Sequence, residues 1–392
     1  MSSGATLEQA LSGLTPLVDR YVTRDRVRRY IMALASTPAP STAATAMRLP
    51  VLKKLLEDDG AFLNGKLRLE GDFGGVGSPV ILTGSSSKEK PLWYFAHLDT
   101  ISYLVQPAQG ERTPLVPFCV HLMRDGACDA NAYRYDFETN SYLVVAKGRL
   151  ESVDGVPFFR SDGLHEPLRP GDRVAPVCPF REVGESGLFT GLMDNAGGVA
   201  ALAVAAPVLA EASVEALIIF PDEEEGPVGG GNQTIGRGGT RVASLLPPPK
   251  LAIAADVQQG GGEADADARG GVENSTRLGA GPVLAEFSSL ARGAVTPPDL
   301  YGLAKQVAGL IEDLGVRVQE SNNAYSSRSD DIGVMLKTSN VLLLGYAGFN
   351  RHFDRGSPRA HLDDLVHLSK ALIYMSAIGL RLAERRRMLL GV

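Results

Sequence analysis

The sequence predicts an α/β fold: a mixed, mainly parallel, doubly wound sheet with an inserted all-β domain. Three observations predict it. The first 60 residues read as helical, helix and strand patterns alternate after residue 187, and residues from about 105 to 187 show short strand candidates among repeated prolines with no helical period. Alternating strand and helix patterns give parallel strands joined by crossover helices on both faces of a sheet. The α/β unit is thus split into 1–105 and 187–392, with the β domain, 106–186, between its halves.

The elements follow in order. "RDRVRRYIMALAS" and "AMRLPVLKKLLEDD" carry helical periods on either side of the proline-containing loop "STPAPST". "GKLRLEGD", "SPVILTGS" and "PLWYFAHLDT" are short, β-branched or aromatic, and bounded by Gly, Ser, Pro or Asp, as strands are. In the middle block, "SYLVVAKGRLES" and "GVPFFRSDG" are the clearest strands. Beyond it come the small-residue helix "AGGVAALAVAAPVLAEA", the buried strands "VEALIIF" and "LAIAADV", the amphipathic helix "PPDLYGLAKQVAGLIEDLG", the strand "NVLLLGYAG" and the closing helix "HLDDLVHLSKALIYMSAIGL". The glycine-rich "GGGNQTIGRGG" and "QQGGGEADADARGGVENS" read as loops. No Walker lysine follows the first of them and the first strand–helix turn has no glycine fingerprint, which argues against a nucleotide site.

Composition narrows the function classes. The chain has 392 residues, 44% hydrophobic and 21% charged, enough for about two domains with a sizeable core. A formal net charge of -6 and the absence of a long basic block argue against nucleic acid; the one basic run, "RLAERRRM", reads as a solvated helix end. No uninterrupted apolar run approaches the length that spans a bilayer, and the first residues lack a signal pattern, so no membrane partner is expected. Cys119, Cys128 and Cys178 form no CxxC pair and no even framework, which suits a reducing, cytoplasmic setting.

Chemistry collects at the ends of the apolar strands, where ligands bind in open α/β sheets. "LWYFA" runs into His97 and Asp99, "LFTGLM" into Asp194 and Asn195, "EALIIFP" into Asp222–Glu225, "LAIAA" into Asp256, and "VLLLGYAG" toward His352. Each alone has an ordinary reading, since Asp194 could cap the following helix and DEEEG could be a solvated loop. Together they place imidazoles and carboxylates at one edge. Carboxylates converging on one buried place repel, or take up protons, unless a cation neutralises them. Imidazole with carboxylate and no thiolate suits zinc or cobalt better than magnesium or calcium.

The set HLD at 97–99, MDN at 193–195, DEEEG at 222–226, ADV at 255–257 and a late histidine resembles the dinuclear-zinc exopeptidases, and among them the tetrahedral and glutamyl aminopeptidases. "LRPGDRVAP", "AADVQQG" and "HLDDLVHLSKAL" fit the same pattern, and the resemblance covers most of the chain. It implies a zinc-exopeptidase-like fold, two divalent ions per chain (zinc, or cobalt in its place), peptide substrates, and a homo-oligomer assembled through the β domain. By the resemblance, His97, Asp194 and Asp256 would hold one ion, and Asp194, Glu224 and His352 the other. Asp99 would fix the His97 tautomer, and Glu223 would be the general base.

Departures leave alternatives open. The triple glutamate allows Glu225 as ligand with Glu224 as base. His361 and His367 compete with His352, although both fall in a helical pattern; Ala196 stands where the family often has arginine; and Asp330 or Asp331 could meet a substrate amine or cap a helix. The function expected is a metal-dependent aminopeptidase. The alternatives are a related deacylase or carboxypeptidase, and a catalytically silent relative serving as a binding or assembly subunit.

Overall fold

The computed structural model describes residues 6–107, 111–163, 167–226, 236–262, 272–288, 291–324, 331–379 and 382. Its centre is four parallel strands in the spatial order Ala216–Ile219, Leu92–Phe95, Leu251–Ala254 and Val341–Phe349. Antiparallel strands extend both sides. Val80–Thr83 and Leu67–Glu70 lie beyond Ala216–Ile219, while Arg359–His361, Leu188–Thr190 and Arg181–Val183 continue past Val341–Phe349. The architecture is a large mixed sheet with helices.

The central strands are apolar at every position because both faces are covered. Tyr94, Ile218, Ile253 and Leu342 point into a core shared with the helices Leu7–Tyr21, Arg24–Ala35, Met193–Glu211, Pro298–Glu312 and Leu362–Met375. Trp93, Phe95, Leu217, Ile219 and Leu343 point the other way, toward Val242 and Ala243 of the helix Arg237–Ser244 and Val334 of Asp331–Val334. Met193–Glu211 is long and apolar enough to cross a bilayer, yet 94% of that window is buried inside the protein. Its small residues let it lie close to the sheet. A Cβ on Gly197 would come 2.4 Å from the Tyr346 hydroxyl, which donates to the Met193 carbonyl at 2.6 Å.

Six further strands, Ser102–Val105, Thr113–Phe118, Gly126–Asp136, Ser141–Val153, Val156–Ser161 and Arg173–Pro176, close into an antiparallel barrel. Phe159, Leu150, Val174 and Tyr103 fill its interior. Its edges differ from the expected 106–186. Ser102–Val105, placed in the α/β unit by the sequence, pairs in the barrel, and Arg181–Val183, placed in the insert, pairs with the large sheet.

Candidate metal centre

The parallel strands end together, and the loops leaving them meet. Leu92–Phe95 is followed by Ala96 and then His97, whose ring is 1% exposed. His97 Nδ1 donates to the backbone carbonyl of Asp99 at 3.0 Å, with the Asp99 carboxylate at 3.4 Å. The expected tautomer-fixing contact is therefore made by the main chain of Asp99 more closely than by its side chain. With a proton on Nδ1, Nε2 presents a lone pair. Around it lie Asp194 Oδ1 at 3.2 Å, Asp256 Oδ1 at 3.6 Å and Glu224 Oε2 at 3.7 Å.

Asp194 does not cap the central helix. Its backbone is extended (φ -83°, ψ 107°) and the helix proper starts beyond Asn195. Asn195 is the cap: its Oδ1 accepts from the Gly198 amide at 2.9 Å and its Nδ2 donates to the Ala255 carbonyl at 2.7 Å. Nothing in the local residue pattern signals this division of labour, which ties the helix start to the neighbouring strand and leaves Asp194 facing the site. Asp194 spans the centre, with Oδ1 toward His97 and Oδ2 3.3 Å from His352 Nε2. Asp256 lies two residues past the end of its strand, and a Cβ on Gly345 would fall 1.9 Å from the Asp256 carbonyl, so the adjoining strand must be bare there.

The acid run divides its work differently from the sequence expectation. Asp222 accepts the backbone amides of Thr42 at 2.8 Å and Ala44 at 3.1 Å, so it holds the start of the helix Ala44–Asp58. Glu223 has φ 65°, which turns its side chain outward onto Arg241 in a two-pronged pair at 2.5 and 3.1 Å. The expected base thus lies in an ion pair outside the ligand set. Asp99 accepts the amides of Glu224 at 3.0 Å and Glu225 at 3.2 Å, and the Ser41 hydroxyl at 2.6 Å. Held this way, Glu224 faces His97, and Glu225 Oε2 comes 3.3 Å from His352 Nε2. Asp194, Glu225 and His352 form a second group whose ligand atoms could hold an ion, with Glu225 in the place expected for Glu224. Three identical acids carry no register signal; the left-handed turn at Glu223 and the Asp99 cradle set it.

His352 is 2% exposed, and its Nδ1 donates to the Val120 carbonyl, in the barrel segment after Thr113–Phe118, at 2.6 Å. His361 instead caps Leu362–Met375 and contacts the Ser186 carbonyl at 2.7 Å, while His367 lies along that helix beside Arg317. Asp331 is buried and receives the Ser288 hydroxyl and the Ala294 amide, both at 2.6 Å, a structural anchor; Asp330 lies outside the described residues. Arg48, fully buried, donates to the Leu98 carbonyl at 2.6 Å and the Thr37 carbonyl at 2.9 Å, and burial lowers its pKa to about 10, leaving it charged beneath the site at neutral pH. Arg48 was not anticipated, since nothing local marks an arginine in a helix as buried.

The electrostatics of the pocket favour positive charge. Burial raises the Asp256 carboxyl to about 6, partly offset by His97. Burial alone would raise Asp194 too, but His352, His97 and Arg351 hold it well below the usual carboxylate range. Burial disfavours charge on both imidazoles, yet the surrounding acids lift His97 well above its ordinary value and His352 to about 9, against the opposing charge of Arg351. Each ring is therefore pressed to supply positive charge. His97 Nε2 and Glu225 Oε1 are buried with no hydrogen-bond partner among the described residues. An ion with bonds of about 2.0–2.1 Å in tetrahedral geometry spaces its ligands about 3.3 Å apart. The Nε2–oxygen separations of 3.2 and 3.6 Å in one triad and 3.3 and 3.3 Å in the other fit that spacing.

No family model and no curated protein matches the chain in sequence. Solved structures match in shape. An aminopeptidase from the archaeon Desulfurococcus kamchatkensis superposes with a TM-score of 0.67 at 18% identity, covering 90% of this chain and 95% of that one. The TET1 peptidase of Pyrococcus horikoshii, which can assemble into a tetrahedron or a large octahedral shell, gives 0.64 at 17%, covering 90% and 98%. An M18-family aminopeptidase from Thermotoga maritima gives 0.60 at 12%, covering 92% and 98%. Over nearly its whole length, then, the chain has the fold of the TET and M18 aminopeptidases.

Proposed function

We propose that the protein is a metal-dependent aminopeptidase that hydrolyses N-terminal residues from peptides. One observation carries the reading: two buried triads of His and carboxylate share Asp194 at the carboxyl ends of parallel strands, in a chain folded like aminopeptidases. His97, Asp194 and Asp256 would hold one divalent ion, and Asp194, Glu225 and His352 the other, zinc or cobalt by their donor types. When bound, the pair polarises a substrate carbonyl and makes water acidic near neutral pH.

The chain supplies the remaining parts. Glu224, next to the ligand Glu225 and facing His97, takes the proton of the attacking water and returns it to the departing amine nitrogen. Asp99 fixes the main chain of both glutamates, so base and ligand diverge from neighbouring positions. Glu223, neutralised by Arg241, holds the loop. The barrel is read as a β domain inserted in a discontinuous catalytic unit, its exposed strands serving assembly into a homo-oligomer in the cytoplasm. Turnover of a panel of aminoacyl chromogenic amides, with and without chelator, tests the reading. Hydrolysis that stops on chelation and returns with zinc or cobalt is expected; chelator-insensitive hydrolysis, or none on any amide, overturns it.

A further inference from the structure

Arg351 enters the centre from the loop after Val341–Phe349, its side chain 12% exposed. One guanidinium nitrogen, Nη1, lies 3.1 Å from Asp194 Oδ2 and 2.9 Å from His352 Nε2. These are two of the three ligand atoms of the second triad. Arginine can only donate, so this contact is a hydrogen bond when the ring is neutral with its one proton on Nδ1, toward the Val120 carbonyl. An ion bound to both atoms would draw on the same two acceptor atoms that this nitrogen contacts. In the first triad the corresponding place beside His97 Nε2 is bordered by carboxylates.

We propose that Arg351 is a tethered cation that competes for the second ion's position, so that the two triads fill in sequence and the second only as the guanidinium withdraws. This rests on the metal-centre reading above. The physical reason is that three buried acids need a positive charge before any ion arrives, and a side chain attached one residue from a ligand supplies it at no cost in association. Whatever fraction of molecules has the guanidinium in place is closed to the ion, so apparent affinity falls by that fraction; occupancy of nine in ten weakens it about tenfold. Arg351 is thus a positioning residue acting on metal uptake.

The test is calorimetric titration of zinc into chelator-stripped full-length protein, with metal content measured in parallel. Wild type should show a tight event and a weaker one. R351Q should tighten the second by about tenfold, leave the first unchanged, and melt below wild type only when metal-free. R351K, which keeps the charge, should leave the second event weak. An R351Q second event no tighter than wild type, with the first intact, overturns the proposal alone, as does tightening in R351K equal to that in R351Q. Absence of zinc uptake by wild type overturns the metal centre and the proposal together. Independently of any variant, cobalt titration of wild type followed by visible absorption should fill two environments in succession; simultaneous filling overturns the proposal.

Discussion

The two triads share a carboxylate yet are built from different materials. The first is made at the sheet: His97 and Asp256 follow adjacent parallel strands within two residues of their ends, and a backbone carbonyl two residues further along the chain contacts the His97 ring. The second is made by loops: Glu225 has its amide held by Asp99, and His352 leans on a carbonyl of the barrel segment and has Arg351 against its Nε2. Hydrogen-bonded strands hold the residues just beyond their ends in a common register, while loop positions depend on contacts between segments distant in sequence. The first half should therefore be robust and the second adjustable.

The largest test of that contrast removes what the halves share. D194N should lose zinc at both positions, and activity should fall by about four orders of magnitude or more, as metal content and amide hydrolysis would show. Next, E224Q should retain metal and lose about 10²–10⁴-fold in turnover, whereas E223Q should keep turnover within a fewfold; the reverse order would return the base to Glu223. H352A should lose one ion and keep the other, while H97A should weaken both through Asp194, measured by metal content after dialysis. D99N, which leaves every ligand in place, should weaken the second triad about 10–100-fold and the first less. The smallest effect is remote from the centre. Arg317 donors face both ring nitrogens of His367, and burial together with Arg317 and Lys370 lowers its pKa to about 4 from 6.5. Between pH 4 and 6.5 the unfolded chain binds the extra proton and the folded one does not, so stability rises with pH across that window. H367Q should flatten this part of the melting-temperature profile while leaving metal uptake unchanged.

The first half was also the more legible in sequence. Strands buried on both faces read as continuous apolar runs, and the polar residues just beyond them, His97, Asp194 and Asp256, could be recognised as neighbours because parallel strands end on one side. The helical pattern around His361 and His367 favours His352 as the late histidine, and the structure puts those two on or at the start of that helix. The acid register was not legible, since Glu223, Glu224 and Glu225 are chemically identical and their directions follow from one positive φ and from Asp99, 125 residues away from Glu224. Arg48, Asn195 and Arg351 were missed for a related reason: nothing in a short window says that an arginine will be buried, or that Asn195 will take the cap from Asp194. The barrel's presence was legible from the loss of helical period, but its closing strands were displaced from the expected edges by several residues.

The hydrogen bond from His352 to the Val120 carbonyl carries a practical consequence. A minimal chain made by excising the barrel and rejoining the ends would keep every candidate ligand side chain named above, yet the late imidazole would lose the acceptor at its Nδ1. Such a truncation should fold on the strength of its sheet and still bind a single ion. The barrel is thus a working part of the machine whose removal leaves the engine block standing with one bearing gone.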